Sequence, residues 1–169
     1  MANTIGNVLV GVATLKIGVA GVAAATVAGY TEDGVTIEYN ADIADIETEE
    51  ETFPINRVIT KETLTVTCNC AESSIANIGY AIAGANGHVS PILIGAVAPA
   101  GGVLQTCSLK IDGIPPVVGG TSRTIVIMYA HPTGAVGMSY KKGEKTIVPM
   151  SFLAYKGDLA VDVCTITDV

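Results

Sequence analysis

The sequence predicts a mainly β domain with one short α-helix, on three observations. Nineteen glycines, no tryptophan and an abundance of Val, Ile and Thr favour strands joined by tight turns. Two segments, around 35–46 and 63–70, alternate apolar and polar residues with period two. Only one stretch, near residue 75, has helical spacing. At 169 residues the chain suits one domain, 1–169.

The elements follow in chain order. Val8 to Ala28 is almost wholly apolar, yet MANTIGN lacks the basic residues that open a signal peptide, and Lys16 sits inside the run. A membrane span would tolerate that lysine poorly, so residues 1–28 are expected to form an extended apolar arm and first strand, with no membrane span. In GVTIEYNADI, Val35, Ile37, Tyr39, Ala41 and Ile43 alternate with Thr36, Glu38, Asn40 and Asp42. One face is therefore apolar and the other polar. The phase slips at Ile43-Ala44, which predicts a bulge.

A second strand spans Thr63 to Cys70, with Leu64, Val66, Cys68 and Cys70 on its apolar face. The acidic, Pro-containing stretch between the two strands is expected to be the tip, 47–57, of a long β-hairpin over 35–70. Its polar faces would then adjoin, with Glu38 and Asp42 beside Thr65 and Thr67. Ser73 as N-cap and Ile75, Ile78 and Ile82 at helical spacing predict a helix over 74–83, ended by Gly84, its isoleucines packed on the sheet.

Residues 84–120 are dense in Gly and Pro and predict loops around a short strand, Thr106 to Ile111. Arg123 to Ala130 is apolar on both faces and predicts a buried strand, or one covered by a neighbouring subunit. The turns HPTGAVG and KKGEK precede two last strands, Thr146 to Tyr155 and Leu159 to Ile166, for six to eight strands in all.

Charge and chemistry narrow the function. Of 16 acids, nine lie between Glu32 and Glu51, a stretch without Lys or Arg; the other 149 residues hold seven acids and nine bases. The net charge of −7 is thus a local feature. Binding a polyanion needs clustered bases, and the largest group is Lys141, Lys142 and Lys145. A nucleic-acid reader is excluded on this ground. With 49% hydrophobic and 15% charged residues, disorder is excluded and self-association is expected.

Cys68, Cys70, Cys107 and Cys164 have neither disulfide-framework nor zinc spacing, so they read as small core hydrophobes and free thiols of a reducing cytoplasm. No nucleophile elbow, P-loop, HExxH or GxGxxG motif is present, His88 and His131 fall in expected solvated turns, and the acids of 47–51 lack calcium-loop spacing. The expectation is a protein that is not an enzyme, with no metal and no cofactor.

The order of parts carries a resemblance. A Gly/Ala/Val-rich arm leads to the acidic two-strand segment (GVTIEYNADIADIETEEETFPINRVITKETLTVTC), then to SSIANIGYAIAG, an R-x-I-x-I strand and the closing K-G-E-K-x-x-x-P-x-x-F segment, Lys142 to Phe152. This arrangement resembles the tail tube proteins, or major tail proteins, of tailed bacteriophages. The resemblance implies a β-sandwich or half-barrel with one flanking helix. It also implies six-membered rings whose strands join into a β-barrel, stacked into a tube that conducts DNA.

Under that resemblance, Thr36, Glu38, Asn40, Asp42, Thr63, Thr65 and Thr67 are candidate lumen residues. DNA carries a charge about every 1.7 Å, so a basic lining would hold it while an acidic or hydroxyl lining lets it pass. The tip would reach the next ring through Phe53, Pro54, Ile55 and Arg57, with Glu47, Glu49, Glu50 and Glu51 seeking Arg123, Lys141, Lys142 or Lys145 of a neighbour. Implied partners are further copies of the chain, and tape measure, tail terminator and sheath or baseplate proteins. The implied location is the virion tail, after assembly in the bacterial host cytoplasm. Two other classes compete: a secreted or surface-displayed β-sandwich adhesion module, which the missing basic leader and the absence of an N-x-[ST] sequon disfavour, and another virion component such as a terminator or decoration protein.

Overall fold

The computed structural model describes residues 13–85, 88–94, 104–113, 122–157 and 162–168. Among them the chain forms β1 (Ala13–Val19), β2 (Thr26–Val27), β3 (Thr31–Ile46), β4 (Asn56–Cys70), α1 (Ile75–Ala81), β5 (Cys107–Gly113), β6 (Arg123–Pro132), β7 (Val148–Ala154) and β8 (Cys164–Asp168). All strands join one antiparallel sheet in the order β2-β1-β5-β6-β7-β4-β3, and β8 pairs with β6 in line with β7. The sheet is not closed into a barrel.

Register explains the core. Residues directly opposite in an antiparallel ladder share a face, and the inward row runs from strand to strand: Leu15 opposite Ile111, Ile17 opposite Leu109, Leu109 opposite Ile127, Pro132 opposite Phe152, and Phe152 opposite Val66. Apart from Pro132, these side chains and Val148, Met150, Cys68, Cys70 and Cys107 form one buried cluster. A sheet whose single apolar face belongs to one cluster must curl around it. Cys68, Cys70 and Cys107 behave as core residues, and burial pushes the Cys68 and Cys107 thiols up to about 12.

The curl is pinned where the ends of the sheet approach each other. Buried Asn77 of α1 donates its side-chain amide to the Ala28 carbonyl at 2.7 Å and the Glu72 carbonyl at 2.8 Å. The Cys70 thiol also donates to Ala28 O, at 3.2 Å, and Ala71 N–H donates to Tyr30 O, at 2.8 Å. The segment after β2 is thereby tied to the end of β4 and to the helix.

The helix differs from expectation at both ends. Ser74, not Ser73, is the N-cap, accepting from Asn77 N–H at 3.2 Å, and the helix stops at Ala81 with Ile82 as C-cap. Its buried face is Asn77, Gly79 and Ala81, with Ile78 packed against the core and Ile75 exposed. The isoleucine stripe is thus only partly the packing face, because the buried amide of Asn77 sets the helix's rotation. In the N-terminal part the first strand is β1, paired with the two-residue β2, and 1–12 lie outside the described residues. The last strand begins at Cys164, with 158–161 outside. In the Gly/Pro-rich region, the loops at 86–87, 95–103 and 114–121 also lie outside, and the strand there ends at Gly113.

The histidines are not solvated turn residues. His131 lies in β6, stacked on Tyr155 with ring centroids 4.1 Å apart, and Nδ1 donates to Gln105 O at 3.1 Å. His88 stacks on Tyr80, and Gln105 Nε2 lies 2.7 Å from its Nδ1. A register shift between β5 and β6 at Cys107/Leu109 places Tyr129 on the outer face near His131. Gly157 and Gly21 flank that ring so closely that a Cβ at Gly157 would lie 2.5 Å from it. The two-sided apolar character of β6 thus comes from a central strand with a bulge.

Asn77→Ala should lower unfolding stability by about 2 kcal/mol, since the buried Ala28 carbonyl and the part-buried Glu72 carbonyl each lose a donor; a denaturant midpoint matching that of the unaltered chain would refute the clasp. Acid supplies a second test. Burial pushes Asp112 upward, but the Lys16 ammonium at 2.9 Å, the Thr124 hydroxyl and Lys110 together hold its carboxyl below the ordinary aspartate value. A depressed folded pKa contributes stability that is present above the unfolded value, near 4, and is lost as pH falls through the folded one. The melting temperature should therefore fall below about pH 4, and less steeply in Asp112→Asn.

Candidate functional site

The hairpin of β3 and β4 divides into a root and a projecting arm. At the root, Ile37 opposite Val66 and Val35 opposite Cys68 face the core, while β7 pairs with Thr65–Cys70 on the other edge of β4. Before Thr65, β4 pairs only with β3 among the described residues, and β3 is the terminal strand of the sheet. From Tyr39 and Leu64 outward the hairpin is therefore a two-stranded ribbon. Such a ribbon is marginal alone in water and needs cross-strand ties.

Those ties are present. Tyr39 donates to Glu62 Oε1 at 2.7 Å, Thr60 Oγ1 donates to Asp42 O at 3.1 Å, Arg57 pairs with Asp45 at 2.9 Å, and Ile55 N–H donates to Ile46 O at 2.9 Å. The hydrogen bond to Glu62, burial and the carboxylate's charge all push the Tyr39 phenol's pKa up. At the other end of β3, Asp33 and Gly34 both have positive φ, 61° and 80°, and form an irregularity between Glu32 and Val35. Gly34 meets no neighbour that would crowd a Cβ; it is needed there for its backbone conformation.

One face of the root is polar. Thr36 lies opposite Thr67, Glu38 opposite Thr65, Asn40 opposite Thr63, and Asp42 opposite Lys61. The seven candidate lumen residues thus share a face, which continues onto β7 through Ser151, opposite Thr67. Two details differ from expectation. Thr67 adjoins Thr36 rather than a carboxylate, and Asp42 adjoins Lys61, a base that sequence reasoning left out. Counting back from the phase slip would have found it.

The slip is real, and the extra residue sits on the opposite strand. Asp42 pairs with Lys61 but Ile43 with Ile59, leaving Thr60 without a partner. Because β3 keeps its alternation, Ala44 opposite Val58, and Ile46 opposite Asn56, continue the face that carries Asp42 and Lys61. Ile43 and Ile59 continue the face of Tyr39 and Leu64. Beyond Thr60 the arm consequently carries exposed aliphatic side chains on both faces: Ile43, 62% exposed, and Ile59, 58%, on one, next to the Asp45–Arg57 pair, and Val58 and Ile46, each 41%, on the other, next to Asn56.

The tip is shorter than 47–57, because β4 resumes at Asn56 and Arg57 belongs to the ribbon. Glu47, Glu49, Glu50 and Glu51 are exposed and form no ion pair among the described residues; Phe53 is 81% exposed, Ile55 is exposed and Pro54 half-buried. Most candidate bases are paired within the chain: Arg123 with Asp168 through two hydrogen bonds of 2.6 and 2.9 Å, Lys141 with Glu144 at 3.4 Å, and Lys145 with Glu32 at 2.9 Å. Lys142 is exposed with no ion pair among the described residues. Solvent-exposed pairs of this kind contribute about 0–1 kcal/mol and exchange partners at little cost.

Where β7 ends, a cleft of about 660 Å³ opens between the arm and β8, lined by Tyr39, Leu64, Tyr155, Lys156, Cys164 and Ile166 among others. Among the described residues, no group of three or more His, Cys, Asp or Glu is placed to hold a metal ion, and no helix is long and apolar enough to cross a membrane. No protein-family model matches the chain, and no curated protein is similar to it in sequence.

Cys164, half-buried beside the cleft, should be the first thiol of the folded protein to react with a maleimide. Cys68, Cys70 and Cys107 should react only on unfolding. Mass spectrometry finding two or more fast labels in the native state would contradict the packing.

Proposed function

We propose that this chain is a self-assembling structural subunit of the tail-tube kind, forming rings, hexameric by the resemblance, that stack into a conduit for DNA. The observation that carries the reading is the projecting arm: polar on one face at its root, with exposed aliphatic residues on both faces beyond Thr60, and tipped by exposed Phe53 and Ile55. A monomer gains nothing from holding apolar residues in water on a ribbon that its own body does not cover. A head-to-tail contact, arm of one copy against body of the next, generates rings or filaments.

The polar face supports the second half of the reading. Threonine hydroxyls, Asn40 and the carboxylates of Glu38 and Asp42 make a surface with a single base, Lys61. Phosphates find few counterions to replace there, so a duplex passes without adhering. Ring closure would use the open edges of the sheet, whose unpaired backbone groups are otherwise an aggregation hazard. In this reading tape measure, terminator and sheath or baseplate proteins are the further partners, the assembled location is the virion tail, and no catalysis or cofactor is involved.

Negative-stain microscopy of the purified protein tests the reading: hollow tubes with a regular axial repeat are expected, and a strict monomer at all concentrations and salts would overturn it. Phe53→Asp or Ile55→Asp should leave the fold intact, with an unchanged melting temperature, while tubes shorten to rings. Glu38→Lys combined with Asp42→Lys should assemble normally and deliver DNA poorly; undiminished infectivity in a particle built from that variant would count against the lumen assignment.

A further inference from the structure

We infer that each arm is gripped by two other copies of the chain at once, one against each face; this rests on the self-assembly proposed above. The inference starts from the parity change at Thr60. A two-stranded ribbon with one apolar face needs one covering surface. Here Tyr39, Ile43 and Ile59 on one face, and Ile46 and Val58 on the other, are exposed apolar residues on opposite sides of the same ribbon, set among the Asp45–Arg57 pair and Asn56. One flat surface cannot cover both.

Size points the same way. The ribbon from Tyr39 to Ile46 is about 25 Å long and, at one strand spacing plus side chains, about 10 Å wide, or roughly 250 Å² a face. A stable interface buries about 800 Å² per partner. A single face falls well short, so specific docking draws on both faces and the tip together.

The occupant is this same chain because its charge is complementary to the arm. Nine of the 16 acids lie in Glu32 to Glu51, while the remaining 149 residues carry two more bases than acids. Glu47, Glu49, Glu50 and Glu51 have no ion pair among the described residues, and the 141–145 turn offers exposed Lys142 beside Lys141 and Lys145 in weak surface pairs. A chain whose acidic tip and basic turn lie on separate elements is set to satisfy them between copies. The arm's own Asp45–Arg57 pair and the Asp42 and Lys61 side chains, opposite one another, leave its middle nearly neutral, so apolar contact decides there.

The test uses the full chain with Ile43→p-benzoylphenylalanine, Val58→p-benzoylphenylalanine, or both, diluted into a large excess of unsubstituted chain before assembly. After irradiation each single substitution should yield covalent dimers. The doubly substituted chain should also yield trimers, one labelled chain joined to two unlabelled ones. Tubes in which the double variant gives dimers alone, or in which only one position cross-links, would overturn the two-sided grip and leave self-assembly standing. Monomers with no cross-link at any concentration would overturn both. Independently of the probe, Ile43→Ser and Val58→Ser should each raise the concentration needed for tubes by roughly tenfold, equivalent to about 1.4 kcal/mol; an effect from one alone would again speak for a one-sided contact.

Discussion

The structure depends on a curled sheet being held curled. Seven of the eight strands contribute to one apolar face, and a sheet of that size left open would expose it. Side-chain packing is non-directional and does not by itself say where the curl stops. The amide of Asn77 does, because its two N–H groups must both find acceptors once buried, and they find them in the Ala28 and Glu72 carbonyls, with Cys70 Sγ 3.2 Å away. That point fixes the helix against the sheet, the β2 end against β4, and so the direction in which the hairpin leaves the body.

Everything the arm presents follows from that exit and from two interruptions of register. The positive-φ residues Asp33 and Gly34 let β3 bend at its start, so that the root stays against the core. Thr60 then exchanges the faces of β4 halfway out. Both decide what the arm exposes: hydroxyls and carboxylates near the root, aliphatic side chains farther out, acids and Phe53 at the end.

Much of this was legible in the sequence, for physical reasons that also mark where legibility ended. The period-two runs of β3 and β4 could be read because one face of each is core and the other water, and the phase slip at Ile43 was visible because an apolar residue appeared on the wrong parity. That the extra residue belonged to β4, as Thr60, was not visible, since a slip seen on one strand can be accommodated by either. Lys61 was missed as the neighbour of Asp42, although the antiparallel register that sets Glu38 opposite Thr65 carries the count to it. The helix was recognisable, but Ile75 and Ile82 suggested a packing face that the burial of Asn77 displaced. His131 looked like a turn residue beside Pro132, although its stacking on Tyr155 is made by a tertiary contact that no local pattern encodes. The bases Arg123, Lys141 and Lys145 were legible as charges but not as already paired.

The pairing of β1 with β5 has a consequence for how the chain reaches this form. Leu15 meets Ile111 only after most of the chain between them has been made, whereas Tyr39 and Leu64 belong to neighbouring strands of one hairpin. Pairings distant in sequence form slowly because the loop entropy must be lost first. The hairpin can therefore zip while the body is still open, so that its greasy ribbon exists before there is a finished molecule for it to belong to. The carboxylates crowded at the ends of such hairpins repel like for like, which opposes the joining of one unfinished chain to another.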